Sequence, residues 1–217
     1  MRPPAVAGSF YPAQPDELRQ MVDEFLIQAT VPDIHGRIVA IVAPHAGYVH
    51  SGKVAAHSYA LLRRQKFQRV VVIAPSHFEA FPFVSVYNGD AYSTPLGSVP
   101  VDKEFAAKLA KLSPRIQLSS RGHTPTQQQG EHALEVQLPF LQRVLGDFRL
   151  VPIVMGEQNY ETERTLGVAL AKMLNKDTGT LIVVSCDLSH YHPYDEATTI
   201  DQKTLKAIER WDYLSLS

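Results

Sequence analysis

Four short apolar runs constrain this chain more than any other feature: Ile38-Val39-Ala40-Ile41-Val42-Ala43, Val70-Val71-Val72-Ile73-Ala74, Leu150-Val151-Pro152-Ile153-Val154 and Leu181-Ile182-Val183-Val184. Each is short, largely β-branched and apolar on both faces, which is the pattern of central strands covered on both sides. Pro152 weakens the third, because proline has no N–H to give to a ladder. Phe83-Val84-Ser85-Val86-Tyr87 alternates more and reads as an edge or antiparallel strand. Helical patterns lie between the runs. A segment opened by Pro15-Asp16-Glu17-Leu18 carries Met21, Val22, Phe25 and Leu26 on Leu18's stripe. Further helices are expected over 51–62, 105–112, 131–145 (Leu134, Leu138, Leu141, Leu145 on one face) and 161–174. Strand runs alternating with helical runs predict an α/β protein, a three-layer α/β/α sandwich around a largely parallel central sheet.

Composition narrows the function classes. The 217 residues carry 21 Lys+Arg against 22 Asp+Glu, a formal charge of −1, with 45% hydrophobic residues. That balance disfavours a nucleic-acid or anionic-membrane surface as the main partner, and no apolar run approaches the ~20 residues of a membrane span. One cysteine excludes a disulfide framework and any CxxC site. With no signal-peptide pattern at the start, the expectation is a single domain over 1–217 in the reducing cytoplasm.

Chemistry gathers where the strands end. The first run continues into Pro44-His45-Ala46-Gly47-Tyr48, the second into Pro75-Ser76-His77-Phe78-Glu79, and the last into Ser185-Cys186-Asp187-Leu188-Ser189-His190-Tyr191-His192. Ligands of open α/β sheets bind outside the carboxyl ends of the strands, so His45, His77 and the Asp187/His190 pair are expected to converge. Pro44 and Pro75 end their ladders, and Gly47 is expected to allow a sharp turn behind His45. A loop histidine is ordinarily a satisfied bystander. Three strand tips bearing histidine together favour a site instead, and two imidazoles with a carboxylate suit Fe(II) or Zn(II). Cys186 reads as a small buried hydrophobe or a reactive thiol beside the site. Gly130-Glu131-His132-Ala133-Leu134-Glu135 is expected to open the long helix, with Glu131 and Glu135 on one face and a neutral His132 lining the pocket. Tyr48, Phe78 and Tyr191 are expected to make an aromatic slot. Gln127-Gln128-Gln129 reads as a polar loop, and His35, His50, His57 and His123 receive no role.

These stretches together resemble the Memo family, also called AmmeMemoRadiSam system protein B. The opening Arg2-Pro3-Pro4-Ala5-Val6-Ala7-Gly8-Ser9-Phe10-Tyr11-Pro12, Pro44-His45-Ala46-Gly47-Tyr48, Ser76-His77, Thr94-Pro95-Leu96-Gly97, Gly130-Glu131-His132 and Ser185-Cys186-Asp187-Leu188-Ser189-His190 match in order over nearly the whole chain. The family is similar in fold to the class III extradiol ring-cleaving dioxygenases of the LigB type. The resemblance implies His45 and His77 as metal ligands, His190 as an acid/base group with Asp187 beside it, and His132 as a pocket-lining residue; Tyr48, Cys186 and Ser189 are expected to line the pocket as well. It implies iron or copper, with Zn a further option, and a metal-binding or redox role. A working ring-cleaving dioxygenase, or a metal-free module for a peptide or small molecule, are the alternatives. The family's third ligand resembles a cysteine in a C-terminal Cys-Gly motif. This sequence ends at Trp211-Asp212-Tyr213-Leu214-Ser215-Leu216-Ser217 without one, so the chain reads as lacking that segment. Asp187, His190 or water would complete the site, and an uncovered sheet edge would invite a homo-oligomer.

Overall fold

In the computed structural model, residues 1–124, 130–212 and 215 are described. They form two compact units, Met1–Cys186 and Asp187–Ser217. The Gln127-Gln128-Gln129 stretch lies outside the described residues. The first unit runs α1 (Pro15–Gln28), β1 (Ala40–Ala43), α2 (Tyr48–Ala60), β2 (Arg69–Pro75), β3 (Val84–Val86), β4 (Ala91–Thr94), β5 (Gly97–Pro100), α3 (Lys103–Ala110), β6 (Ile116–Leu118), a 3-10 turn (Glu135–Gln137), α4 (Leu138–Leu145), β7 (Arg149–Met155), α5 (Tyr160–Leu174) and β8 (Thr180–Ser185). The second unit holds α6 (Tyr194–Glu209). No helix among the described residues is long and apolar enough to cross a membrane.

Six strands make one sheet in the order β1-β8-β2-β7-β3-β6. β1, β8, β2 and β7 are mutually parallel. β3 lies antiparallel to β7, and β6 follows β3's direction. At β2 and β7 the sheet is covered on both faces, as their doubly apolar runs predict, whereas β1 is an edge strand with Val39 and Val42 exposed, contrary to the expectation for the first run. On one face Leu18, Val22 and Leu26 of α1, Ala56 and Tyr59 of α2, and Phe140 and Leu141 of α4 pack with Val70, Val72 and Val183. On the other, Phe105 and Leu109 of α3 and Leu166 and Leu170 of α5 pack with Val71, Val151 and Ile153. These are the three layers of an α/β/α sandwich.

Pro152 sits within β7 without cost to the β2 ladder. Its carbonyl accepts from Tyr87 N–H at 3.0 Å, so its nitrogen faces the same side, past the last β3 residue, Val86, which pairs with Ile153. The alternating run around Ser85 is antiparallel as read, but internal; β6 is the edge.

The expected helix over 131–145 is shorter. It begins at Leu138, with Pro139 in the first turn where its missing N–H is harmless. Upstream, the amides of His132 and Ala133 are spent on the Glu131 carboxylate at 2.8 and 2.9 Å. That is turn geometry, so Glu131 and Glu135 serve different partners and share no helix face. Gly47 needs no special freedom either: its φ is −55°, and it stands as the residue before α2.

The N-terminal segment is strapped across this unit by Arg2. Its backbone joins the β4–β5 hairpin, with Arg2 N–H on Ala91 O and Ser93 N–H on Arg2 O, both at 2.8 Å. The tight turn of that hairpin at Thr94-Pro95-Leu96-Gly97 places Gly97 at φ +126°, a region open to glycine. The Arg2 side chain is buried against Glu135, which is itself fully buried. Its guanidinium also reaches the carbonyls of His123 and Glu131. Glu135 further accepts from Ala5 N–H at 2.7 Å, Val6 N–H at 3.1 Å and the Tyr11 hydroxyl. Burial, then the Glu135 charge, push the Tyr11 phenol far up, so it stays a donor.

His123, given no role from sequence, is wholly buried. Its Nε2–H donates to Ser85 O at 3.1 Å and its Nδ1 accepts from Tyr92. Burial pushes its pKa down to about 3.

Two outcomes follow. Removing one member of the buried pair strands the other charge, so Arg2→Ala is expected to cost about 3–5 kcal/mol and to lower Tm by roughly 10 °C, read by calorimetry. Because His123 stays neutral when folded but takes a proton below its ordinary pKa of about 6.5 when unfolded, its contribution is full above that pH. It is lost progressively from about 6.5 towards 3, at up to about 1.4 kcal/mol per pH unit. Urea unfolding between neutrality and pH 5 is expected to show this slope in the native chain and a flatter one in His123→Gln.

Candidate metal centre

Parallel strands deliver their carboxyl tips to one rim. β1 and β2 flank β8 in the same direction, so the segments after β1 and β2 open on one rim. His45 follows β1 and His77 follows β2, and their rings lie 5.1 Å apart. The turn at Glu131–Ala133 brings the His132 ring to 4.7 Å from His77 and 5.9 Å from His45. Three imidazoles from separate parts of the chain thus form one cluster. His45 is buried, His132 half-buried and His77 more open. Phe10 and Phe78 flank His132 at 4.6 and 6.2 Å.

Glu131 organises the cluster. Its Oε2 accepts the His77 backbone N–H at 2.6 Å, and its Oε1 accepts His77 Nδ1–H at 3.0 Å together with the amides of His132 and Ala133. Burial opposes its charge, but these hydrogen bonds and the neighbouring His77 win, and its pKa is held down to about 2. A carboxylate in that state is only an acceptor, so His77 carries a proton on Nδ1 and, in the neutral ring, its lone pair on Nε2. His77, Glu131 and His132 each offer a potential ligand atom within 4.8 Å of the others.

His45 is anchored differently. Its Nδ1 lies 3.0 Å from the Ser185 hydroxyl at the end of β8. Ser185 also meets Ala133 O at 2.6 Å and Gln137 Nε2 at 2.8 Å. These groups suit an ion that favours nitrogen donors with carboxylate support.

The structure brings together His45, His77 and His132. Tyr48, expected in an aromatic slot, is a core residue instead. Its hydroxyl donates to Val136 O at 2.6 Å, and its ring packs on Tyr11 and Phe140. It opens α2 and is buried there among Tyr11, Phe140 and Val136. Phe78 and Phe10 flank the imidazoles. Cys186 is exposed, its amide extending the β1–β8 pairing to Ala43 O at 3.0 Å; the buried alternative is set aside because Ser185 takes the inward position. Asp187, Ser189 and His190 belong to the second unit. There His190 Nε2 meets Asp187 Oδ2 at 3.2 Å, and Ser189 N–H donates to Asp201 at 2.9 Å. The exposed pair His192–Glu196 lies on the same segment at 3.2 Å.

Sequence reasoning passed over Glu131, Ser185 and Gln137 as site residues. Glu131 stood inside a quoted motif next to His132, and a carboxylate beside a histidine was its signal. Ser185 and Gln137 had none, since only the fold makes them neighbours.

A family model described as Memo-like protein matches residues 2–216. A MEMO1 family protein of Aquifex aeolicus is 40% identical, over 97% of this chain and 75% of its own length. The MEMO1 family protein MK0963 of Methanopyrus kandleri is 38% identical, over 97% of this chain and 76% of its own, and the MEMO1 family protein of Ignicoccus hospitalis 39%, over 98% and 76%. With such matches over nearly its whole length, the chain belongs to the Memo-like protein family.

Proposed function

We propose that this Memo-like protein binds a transition-metal ion through His45 and His77, with His132 completing the donor cluster and iron or copper, or else zinc, as the ion. The observation that carries this reading is the meeting of three imidazoles, drawn from three separate stretches, within 4.7–5.9 Å at the carboxyl rim of a parallel sheet. Imidazole suits all three metals. The donor chemistry fits, because Nδ1 of both His45 and His77 is engaged behind the ring, which is how proteins commonly orient a histidine ligand.

When bound, iron or copper would supply Lewis acidity and one-electron chemistry there. The chain's own residues do the rest. Glu131 fixes the plane of the His77 ring and raises its basicity. The buried position of His45 keeps water from one side, and Phe10 and Phe78 border the cluster with apolar edges. In the second unit His190 is hydrogen-bonded to Asp187, the pair to which the family resemblance assigns proton transfer.

Metal content of the purified protein, measured by mass spectrometry, tests this. The native chain is expected to hold close to one ion per chain, and the His45→Ala/His77→Ala variant only background; equal and negligible content in both would reject the reading. Glu131→Gln is expected to keep the fold while weakening metal affinity roughly 10- to 100-fold, as read by competition with a chromogenic chelator.

A further inference from the structure

We infer that Ser185 is a positioning residue that fixes which nitrogen of His45 carries the proton, and that Gln137 and Tyr59 hold Ser185 to that task. The donors and acceptors around Ser185 admit one arrangement. A serine hydroxyl has one proton and two lone pairs. At 2.6 Å from Ala133 O, a carbonyl with no proton, the Ser185 hydroxyl must be the donor. Its two lone pairs then face Gln137 Nε2 at 2.8 Å and His45 Nδ1 at 3.0 Å. The orientation of the Gln137 amide is settled independently. Nε2 also faces Pro44 O at 3.0 Å, an acceptor only, while Oε1 receives the hydroxyl of the fully buried Tyr59 at 2.6 Å. Gln137 therefore donates to Ser185, and the one role left to His45 Nδ1 is to donate as well.

The consequence is a ring with its proton on Nδ1 and, when neutral, its lone pair on Nε2. An isolated histidine in water favours the opposite tautomer, so the protein imposes this one. Glu131 imposes the same tautomer on His77 with a charged acceptor; Ser185 does it with a neutral one. Both rings then present the same nitrogen as donor. The relay Tyr59–Gln137–Ser185 joins α2, the 3-10 turn and the tip of β8, so the tautomer is held by three elements that the fold has already fixed. That the tautomer matters for ion binding rests on the metal-binding reading; the tautomer assignment itself does not.

The test uses the full chain, metal-free and labelled with ¹⁵N-histidine, in long-range ¹H–¹⁵N correlation spectra. The His45 signals are identified by their loss in His45→Gln. The native protein is expected to show a protonated Nδ1 and an unprotonated Nε2 at His45. Ser185→Ala is expected to move the proton to Nε2 or mix the two forms, and Ser185→Thr, which keeps the hydroxyl, to restore the native pattern. Zn(II) competition on the same samples is expected to show roughly 10-fold weaker binding in Ser185→Ala and recovery in Ser185→Thr. A native spectrum with the proton on Nε2 overturns the proposal without any variant having to fold. A Ser185→Ala spectrum unchanged from native, or a changed tautomer with unchanged Zn(II) affinity, overturns the positioning role. Native spectra as expected with no Zn(II) binding uphold the tautomer assignment and reject the metal reading alone.

Discussion

The ion pair between Arg2 and Glu135, buried where neither charge reaches water, is the constraint on which the rest of the site depends. Desolvating two charges is expensive, and the expense is met here by saturation: Glu135 gathers two backbone amides and the Tyr11 hydroxyl, and Arg2 gathers the carbonyls of His123 and Glu131. One arginine thus ties the first residues of the chain to the turn that carries Glu131 and His132. The same strap sets Phe10 against His132. From the other side the turn is held to the rim by Glu131 on His77 and by Ala133 O on the Ser185 hydroxyl.

On that frame the cluster forms from two anchoring schemes. His77 is held by a charged acceptor that stays ionised because four N–H groups converge on it. His45 is held by a hydroxyl whose own proton is already committed. The first scheme depends on the local chain around residue 131. The second depends on β1 and β8 being neighbours, since Ala43 pairs with Ser185 in the ladder.

What the sequence disclosed follows from periodicity and punctuation. The doubly apolar runs marked β1, β2, β7 and β8, and their direction placed His45 and His77 on one rim. Periodicity misled at 131–137, where Leu134 and Leu138 keep helical spacing although the backbone is a turn; side-chain capture of amides by Glu131 overrode propensity there. The three-residue strands β3 and β6 and the hairpin β4–β5 carry too few residues for a periodic signal, and β6 went unread. α6 also went unread, because Ala207 is its one buried residue and no apolar stripe marks it. Arg2 stood in plain sight within a motif, but no local pattern says that an arginine at the chain's start will be buried against a glutamate at position 135. Such pairings, like those of Ser185 and Gln137, exist only in three dimensions.

The reversal of β3 next to β7 has a geometric corollary. Among the described residues, only β1, β8, β2 and β7 end on the rim that bears the histidines; beyond β7 the chain directions invert and the tips point away. With neighbours spaced by about 4.8 Å, four strands span some three gaps, about 15 Å in all. Past β7 the same rim is therefore built from strand beginnings, and the ends that carry His45 and His77 occupy one side of it, not its whole breadth.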